Sequence, residues 1–237
     1  APGLFYGYVT QGIVQKEDIT ENGIKYIKQD GSVGYYQTVN KTTPVAGDVK
    51  YVDRNGDGVV DDNDRDIIGN PNPDFTYGFQ TKVSWKSLSL SASFNGVQGR
   101  DILNVGNRYN NTPGTKSNNV TRKAFQNMWT DENPSNLYPK STFVVQNMVM
   151  DRYVEDGSYL RCSDITLSYV LPAKWTNKIG IKNTSVYASV KNAFVITDYS
   201  GYDPEVNSFA FDGLRPGVDM NSYPTPRSFV FGLNLTF

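Results

Sequence analysis

Histidine is absent from all 237 residues, which removes Ser-His-Asp triads, His-bound zinc and the usual neutral-pH general base, and so argues against an enzyme. Cysteine occurs once, at Cys162, so no internal disulfide is possible. Its place inside an alternating segment predicts a buried, inert thiol. Charge of either sign is not in excess: 23 basic against 24 acidic residues leave a formal net of -1, and no nucleic-acid partner is implied. No apolar run approaches the ~20 residues of a transmembrane helix. A transmembrane barrel leaves almost no trace in hydropathy, because its strands alternate, so this lack does not speak against one. The chain opens on Ala-Pro-Gly-Leu-Phe with neither methionine nor signal peptide, which predicts a processed or partial polypeptide.

What is abundant is aromatic. Aromatic residues make up 13% of the chain, with 16 Tyr, while only 38% is hydrophobic. Mean hydropathy is -0.49. This balance suits exposed strands better than a packed helical core. Residues 1–46 carry short extended pieces between turn signals at Asn22-Gly23 and Asp30-Gly31, and read as a long structured loop region. Asn70-Pro71-Asn72-Pro73 then forbids helix and sets an extended entry.

From Phe75 the pattern is period two. Phe75, Tyr77, Phe79, Thr81, Val83 and Trp85 share one face, and Leu88, Leu90, Ala92 and Phe94 share a face after a tight turn near Lys86. Ile165, Leu167, Tyr169 and Leu171 alternate with polar neighbours, as do Val186, Ala188 and Val190. The chain closes on Phe229, Phe231, Leu233, Leu235 and Phe237. The predicted strands are 75–85, 87–97, 158–171, 184–197 and 228–237. Short turns alternate with long loops, 98–157 and 198–227, the first with a short helix at 121–129. In an outer-membrane barrel the apolar faces meet lipid, the polar faces line the lumen, periplasmic turns are short and extracellular loops long. That description fits every segment. Five strands cannot close a barrel, so further strands are expected upstream. The fold class is therefore all-β.

The densest motif lies within 1–74, in the window 53–64. Asp53, Asn55 and Asp57, then Gly58, the Val59 carbonyl, Asp61 and Asp64 match positions one, three, five, six, seven, nine and twelve of a calcium loop. Alternate side chains there turn inward around a hard cation, and Gly permits the bend. Asp64 replaces the usual Glu, which weakens bidentate closure. The flanks argue against a helix-loop-helix EF-hand. A metal-free loop ordered by Asx turns is the other reading. Either role is structural. The acids of Glu155-Asp156, and Asp203 with Glu205, read as solvated turn residues rather than a glycosidase pair. The loop aromatics Tyr109, Tyr138, Tyr202, Phe209 and Phe211 are candidates to contact a substrate or a lid, against ordinary loop packing.

Six blocks and their order carry a resemblance: Phe5-Tyr6-Gly7-Tyr8, Gly47-Asp48-Val49-Lys50-Tyr51, Asp53-Arg54-Asn55-Gly56-Asp57-Gly58, Ile68-Gly69-Asn70-Pro71-Asn72-Pro73-Asp74-Phe75, Val154-Glu155-Asp156-Gly157-Ser158-Tyr159-Leu160-Arg161 and Tyr199-Ser200-Gly201-Tyr202-Asp203-Pro204-Glu205, followed by the ending Phe231-Gly232-Leu233-Asn234-Leu235-Thr236-Phe237. The chain resembles the C-terminal part of a SusC-like (RagA-like) TonB-dependent outer-membrane transporter. The resemblance implies the last five strands of a 22-stranded plugged barrel, with its chain end periplasmic and its acidic loop extracellular. It implies import of oligosaccharides or peptides, powered by TonB, with a SusD-like surface lipoprotein as lid, and a plug supplied by the N-terminal part of the protein. The competing reading is a soluble, secreted, calcium-stabilised β-sandwich that binds glycans.

Overall fold

In the computed structural model of the chain, the residues described are 3–112, 119–141, 148–176, 181 and 183–236. They fall into two compact units. One consists of Pro73–Arg100, Asp156–Val206 and Tyr223–Phe237, the other of Ala1–Asn72, Asp101–Glu155 and Asn207–Ser222.

The first of these is built on β1 (Phe75–Trp85), β2 (Leu88–Gln98), β3 (Tyr159–Val170), β4 (Asn183–Thr197) and β5 (Ser228–Thr236). They form one antiparallel sheet in chain order, each strand paired with the next. Lys86 and Ser87 alone join the first two strands, with Lys86 at φ 53°, a left-handed conformation that lets a two-residue loop reverse the chain. Registers align the alternating residues into rows. Val83, Leu90, Leu167, Ala188 and Phe231 lie side by side, and so do Trp85, Leu88, Tyr169, Val186 and Leu233. The opposite face carries rows such as Gln80, Ser93, Asp164, Lys191 and Ser228. There Asp164 accepts from Thr166 Oγ1 and Ser189 Oγ at 2.8 Å each and pairs with Lys191 Nζ at 2.6 Å.

Two departures from ideal pleating shape this sheet. The register shifts between Cys162 and Asp164, so Ser163 is an extra residue opposite β2. This bulge returns Leu160 and Cys162 to the apolar face, where Cys162 stands beside Phe94 and Phe194 and is fully buried. Tyr77 and Tyr187 lie over their cross-strand partners Gly96 and Gly232: a Cβ on either glycine would come within 2.3 or 2.2 Å of the ring. The closing aromatic Phe237 lies outside the described residues.

In the other unit the short extended pieces expected within the structured loop region are paired strands. Its strands are short, among them Phe5–Gly7 with Asp66–Gly69, Thr10–Ile13 with Val49–Tyr51, the three-stranded Ile19–Thr20, Gly23–Ile27 and Val33–Tyr36, and the parallel pair Thr38–Val39 and Val59–Val60. They close around Tyr8, Tyr26, Tyr36 and Tyr51, each at most 1% exposed, with Ile13, Val14 and Val60. Buried phenols need partners. Tyr26 donates to the Asp53 carbonyl at 2.6 Å, Tyr8 to Asp62 Oδ1 at 3.0 Å, and the Tyr36 hydroxyl accepts from Tyr51 N at 3.2 Å. Burial pushes the Tyr36 phenol well above its ordinary pKa. The described residues of segment 98–157 supply Leu103, Trp129, Met150 and Tyr153 to this core. The helix expected at 121–129 spans Arg122–Asn127, with the Thr121 hydroxyl accepting from Ala124 N at its start.

Candidate functional site

The acidic window is held by its own backbone. Asp53 accepts from Gly56 N at 2.6 Å and Gly58 N at 2.8 Å. Asp64 accepts from Arg54 N and Asp61 N at 2.8 Å each and from Asn55 N at 3.3 Å. Asn55, Asp57 and Asp61 each accept from the N–H two residues on, as Asx turns do. Gly56 and Gly58 supply the positive φ angles, 76° and 85°, that the bend requires. Asp53 and Asp64 are buried, while Asn55 and Asp57 are exposed and Val59 and Asp61 half-buried. Burial raises the Asp53 pKa, and Asp64 and Asp57 add to the rise, against the opposing N–H bonds of Gly58 and Gly56. Among the described residues neither buried carboxylate is in an ion pair, and no group of three or more Asp, Glu, Cys or His side chains is gathered to hold a metal. The oxygens are turned onto the backbone instead.

The candidate aromatics are dispersed. Tyr109 lies under the Arg108 guanidinium, 4.9 Å from its ring centre. Phe209 and Phe211 meet edge to face at 6.3 Å, with Arg215 over Phe209. Phe211 and Tyr202 stand out into solvent at 88% and 77% exposure. Tyr138 lines a cavity of about 200 Å³.

A third cluster escaped sequence reasoning and corrects it. Asp203, read above as solvated, is 3% exposed and pairs with Arg161, itself 5% exposed, at 2.5 Å. Asp203 also accepts from Glu205 N and Thr225 N at 3.0 Å each. Arg161 Nε stands 2.7 Å from Glu205 Oε2, though not aligned as a hydrogen bond. Glu205 Oε1 receives Tyr159 OH at 2.6 Å and Asn95 Nδ2 at 3.3 Å, and Arg100 donates to the Pro204 carbonyl. Burial pushes the Asp203 carboxyl up, but its N–H donors and Arg161 outweigh that and hold it below the ordinary value. The turn 199–206 is thus tied to the polar face of β2 and β3. The only sequence signal was an acid pair in a Pro turn and an arginine inside a strand.

Sequence comparison gives these features a family. TonB-dependent receptor P26 of Formosa agariphila is 35% identical over 201 residues, covering 81% of this chain and 20% of the relative. TonB-dependent receptor P3 of the same organism is 33% identical over 242 residues, covering 100% and 22%. TonB-dependent receptor SusC of Bacteroides thetaiotaomicron is 34% identical over 194 residues, covering 79% and 17%. The chain belongs to the SusC-like TonB-dependent transporters. The family resemblance carried by the six sequence blocks and the closing strand is thereby borne out. This SusC-like chain spans about a fifth of the length of the relatives P26 and P3. Among solved structures, the RagAB peptide importer in its open-open state matches with a TM-score of 0.66 at 24% identity, over 100% of this chain and 22% of that one. The RagAB peptide transporter matches with a TM-score of 0.67, also at 24% identity, over 100% and 23%. These matches speak to the fold, which is that of a TonB-dependent receptor's β-barrel class. No family model matches the chain.

Proposed function

We propose that β1 to β5 are the last five strands of a 22-stranded outer-membrane barrel, with 1–74, 98–157 and 198–227 extracellular and the chain end periplasmic. The observation that carries this is an apolar face that runs across all five strands and stands largely exposed among the described residues. Phe79, Val83, Trp85, Phe229 and Phe231 are each more than half exposed, and Phe231 reaches 79%. The strands are 9 to 15 residues long, at or above the roughly 9–11 that a tilted strand needs to cross a bilayer. Both outer edges, β1 and β5, are unpaired in this sheet, and lipid does not tolerate open edges, so other strands complete the wall. Trp85 and Tyr169 lie in one row next to the Lys86 turn, where an interfacial aromatic girdle belongs.

The protein so formed imports oligosaccharides or peptides across the outer membrane of a Gram-negative cell, not as an enzyme but as an active transporter. TonB supplies the drive through the N-terminal part, whose plug fills the lumen, and a SusD-like surface lipoprotein works with the loops. SusC among the relatives and the peptide importer RagAB among the structural neighbours support this reading. The window 53–64 would serve as a structural calcium loop only if its carboxylates turned from the backbone N–H groups they now accept toward an ion, with Asp53, Asn55, Asp57, Asp61, Asp64 and the Val59 carbonyl as the ligand set; its spacing supports that reading. Saturating calcium at 100 times its dissociation constant would add about 2.7 kcal/mol to this unit.

The test is topographic. Single cysteines replace Phe231 and its neighbour Val230 in the full-length receptor, with Cys162 changed to Ser, in lipid nanodiscs. A probe on Phe231→Cys is quenched by spin-labelled lipid, and one on Val230→Cys by a water-soluble quencher. Water quenching at both positions refutes the barrel assignment.

A further inference from the structure

We propose that the cavity beside Tyr138 is a subsite for a carboxylate-bearing sugar residue of an incoming oligosaccharide, an inference that rests on the import reading above. Six of its lining side chains carry the argument: Asn107, Asn111, Lys123, Tyr138, Arg152 and Tyr153. Two are cations and none is an acid. Lys123 is in no ion pair among the described residues. Arg152 donates through Nη2 to the Leu137 carbonyl, while its Nη1 is buried with no hydrogen-bond partner among them. Nearby carboxylates are already engaged. Glu155 accepts from Asn104 Nδ2 at 3.0 Å and Asn107 Nδ2 at 3.1 Å, and Asp151 accepts from Thr10 N and Oγ1. The lining therefore sets two cations and a buried donor together with no acid among them, a combination that favours an anion.

The remaining chemistry selects the kind of anion. Asn107 and Asn111 each have one amide N–H in use, to Glu155 and to Asn107 Oδ1, and keep a second. Their carbonyl oxygens already accept one bond each, that of Asn107 from Asn111 and that of Asn111 from the Thr121 hydroxyl at 2.5 Å. The lining is thus rich in donors and poor in acceptors. A sugar acid brings a carboxylate and a ring oxygen, which accept, and hydroxyls, which donate as well as accept. Tyr138 and Tyr153 add aromatic rings, and a volume of about 200 Å³ lies below the 300–1,000 Å³ of pockets for larger ligands, so one sugar ring is the natural occupant.

The experiment titrates the full-length receptor in detergent with a glucuronate-terminated disaccharide, its neutral glucose analogue and a tripeptide, by calorimetry at two salt concentrations. The acidic disaccharide is expected to bind most tightly and to weaken with salt. Lys123→Met removes a charge-assisted bond and is expected to weaken the acidic disaccharide roughly tenfold or more, and to weaken the neutral analogue less. Lys123 is exposed, so this variant folds even if Arg152→Met disturbs the Leu137 contact. Equal affinity for acidic and neutral sugars, no effect of Lys123→Met, or tighter binding of the peptide through these residues overturns the subsite. Lipid quenching at Phe231→Cys is read in the same preparation. A receptor that passes that test and does not bind the acidic sugar refutes only the subsite, whereas one that fails it refutes the barrel reading beneath.

Discussion

Replacing Asp203 by Ala should release the turn 199–206 from the sheet. The carboxylate receives Arg161 Nη2 at 2.5 Å and Glu205 N at 3.0 Å on one oxygen, and Thr225 N at 3.0 Å on the other. Its removal leaves two backbone donors without an acceptor and a guanidinium, 6% exposed in its side chain, with Glu205 and the Tyr159 ring as its remaining neighbours. Breaking one side of a buried ion pair costs about 3–5 kcal/mol. Glu205 is 36% exposed and still 2.7 Å from Arg161 Nε, which softens the loss. The lower end of the range, about 3 kcal/mol, corresponds to about 100-fold in the opening equilibrium. Hydrogen exchange of peptides covering 199–206, in the full-length receptor in nanodiscs, reads that equilibrium directly. Exchange within threefold of the parent, taken as about 0.7 kcal/mol, would refute the latch. So would Glu205→Ala opening the turn more than Asp203→Ala. A double variant, Arg161→Met with Asp203→Leu, separates charge from shape. If the pair matters through its charges, filling both places with apolar groups recovers the part due to the unpaired Arg161, while the Glu205 and Thr225 N–H groups stay unsatisfied. The pH dependence follows from the lowered Asp203 pKa. A depressed folded value means the contribution is complete above the ordinary aspartate pKa of about 3.9 and fades only as pH falls from there through the folded value. Exchange of this turn should therefore show no added opening from this pair at about pH 5.

Other consequences are smaller in scope. Asp64→Ala strips the acceptor from three backbone N–H groups at a fully buried position, and at about 1–3 kcal/mol each should cost 3 kcal/mol or more, read as faster exchange across 53–64. Chelation with EGTA should lower the melting temperature of the full-length receptor and calcium restore it; identical melts would leave the window a metal-free Asx-turn loop. Tyr26→Phe loses one hydrogen bond, to the Asp53 carbonyl, and should cost about 1 kcal/mol in the same measurement. Gly232→Val drives a Cβ into the Tyr187 ring and should cost about 1–3 kcal/mol, seen as a lower unfolding temperature of the barrel on semi-native gels. Adding Tyr187→Ala should recover it.

How much of this was legible depended on whether local pattern or distant pairing decided the structure. The long strands announce themselves, because a residue such as Phe231 and its neighbour Val230 must point to opposite faces whatever surrounds them. Ser163 defeats the same rule. One inserted residue moves Leu160 and Cys162 across the sheet, and nothing in the local sequence marks a bulge without glycine. In the other unit the strands are two to five residues long, too short for periodicity to register, so a core centred on Tyr8, Tyr26, Tyr36 and Tyr51 read as loop. The acidic window was visible from its spacing alone, since its hydrogen bonds reach only two to ten residues. Arg161 and Asp203 are 42 residues apart, and their pairing is a property of the fold that no local spacing reveals.

The two units also bear on which solvent each part of the chain is built for. Both are rich in aromatics, so composition does not separate them. In one, four tyrosines are withdrawn almost entirely from solvent and their hydroxyls are engaged, with that of Tyr51 directed at the Met150 sulfur 3.6 Å away, as a water-facing body requires. In the other, Phe75, Phe79, Phe229 and Phe231 stand outward in register with Val83 and Leu233, while the hydrogen-bonding residues Asp164, Ser189, Lys191 and Thr166 gather on the opposite face. A soluble sandwich would invert that arrangement, placing the phenylalanines against a second layer and leaving the polar row to water. Fully covering a side chain such as Phe contributes about 1.5–3 kcal/mol, and this sheet forgoes that gain on strand after strand. In the proposed barrel, a medium as apolar as the side chains themselves removes that deficit, and on that reading the same chain folds one unit for water and presents, in the other, a surface whose stable partner is lipid.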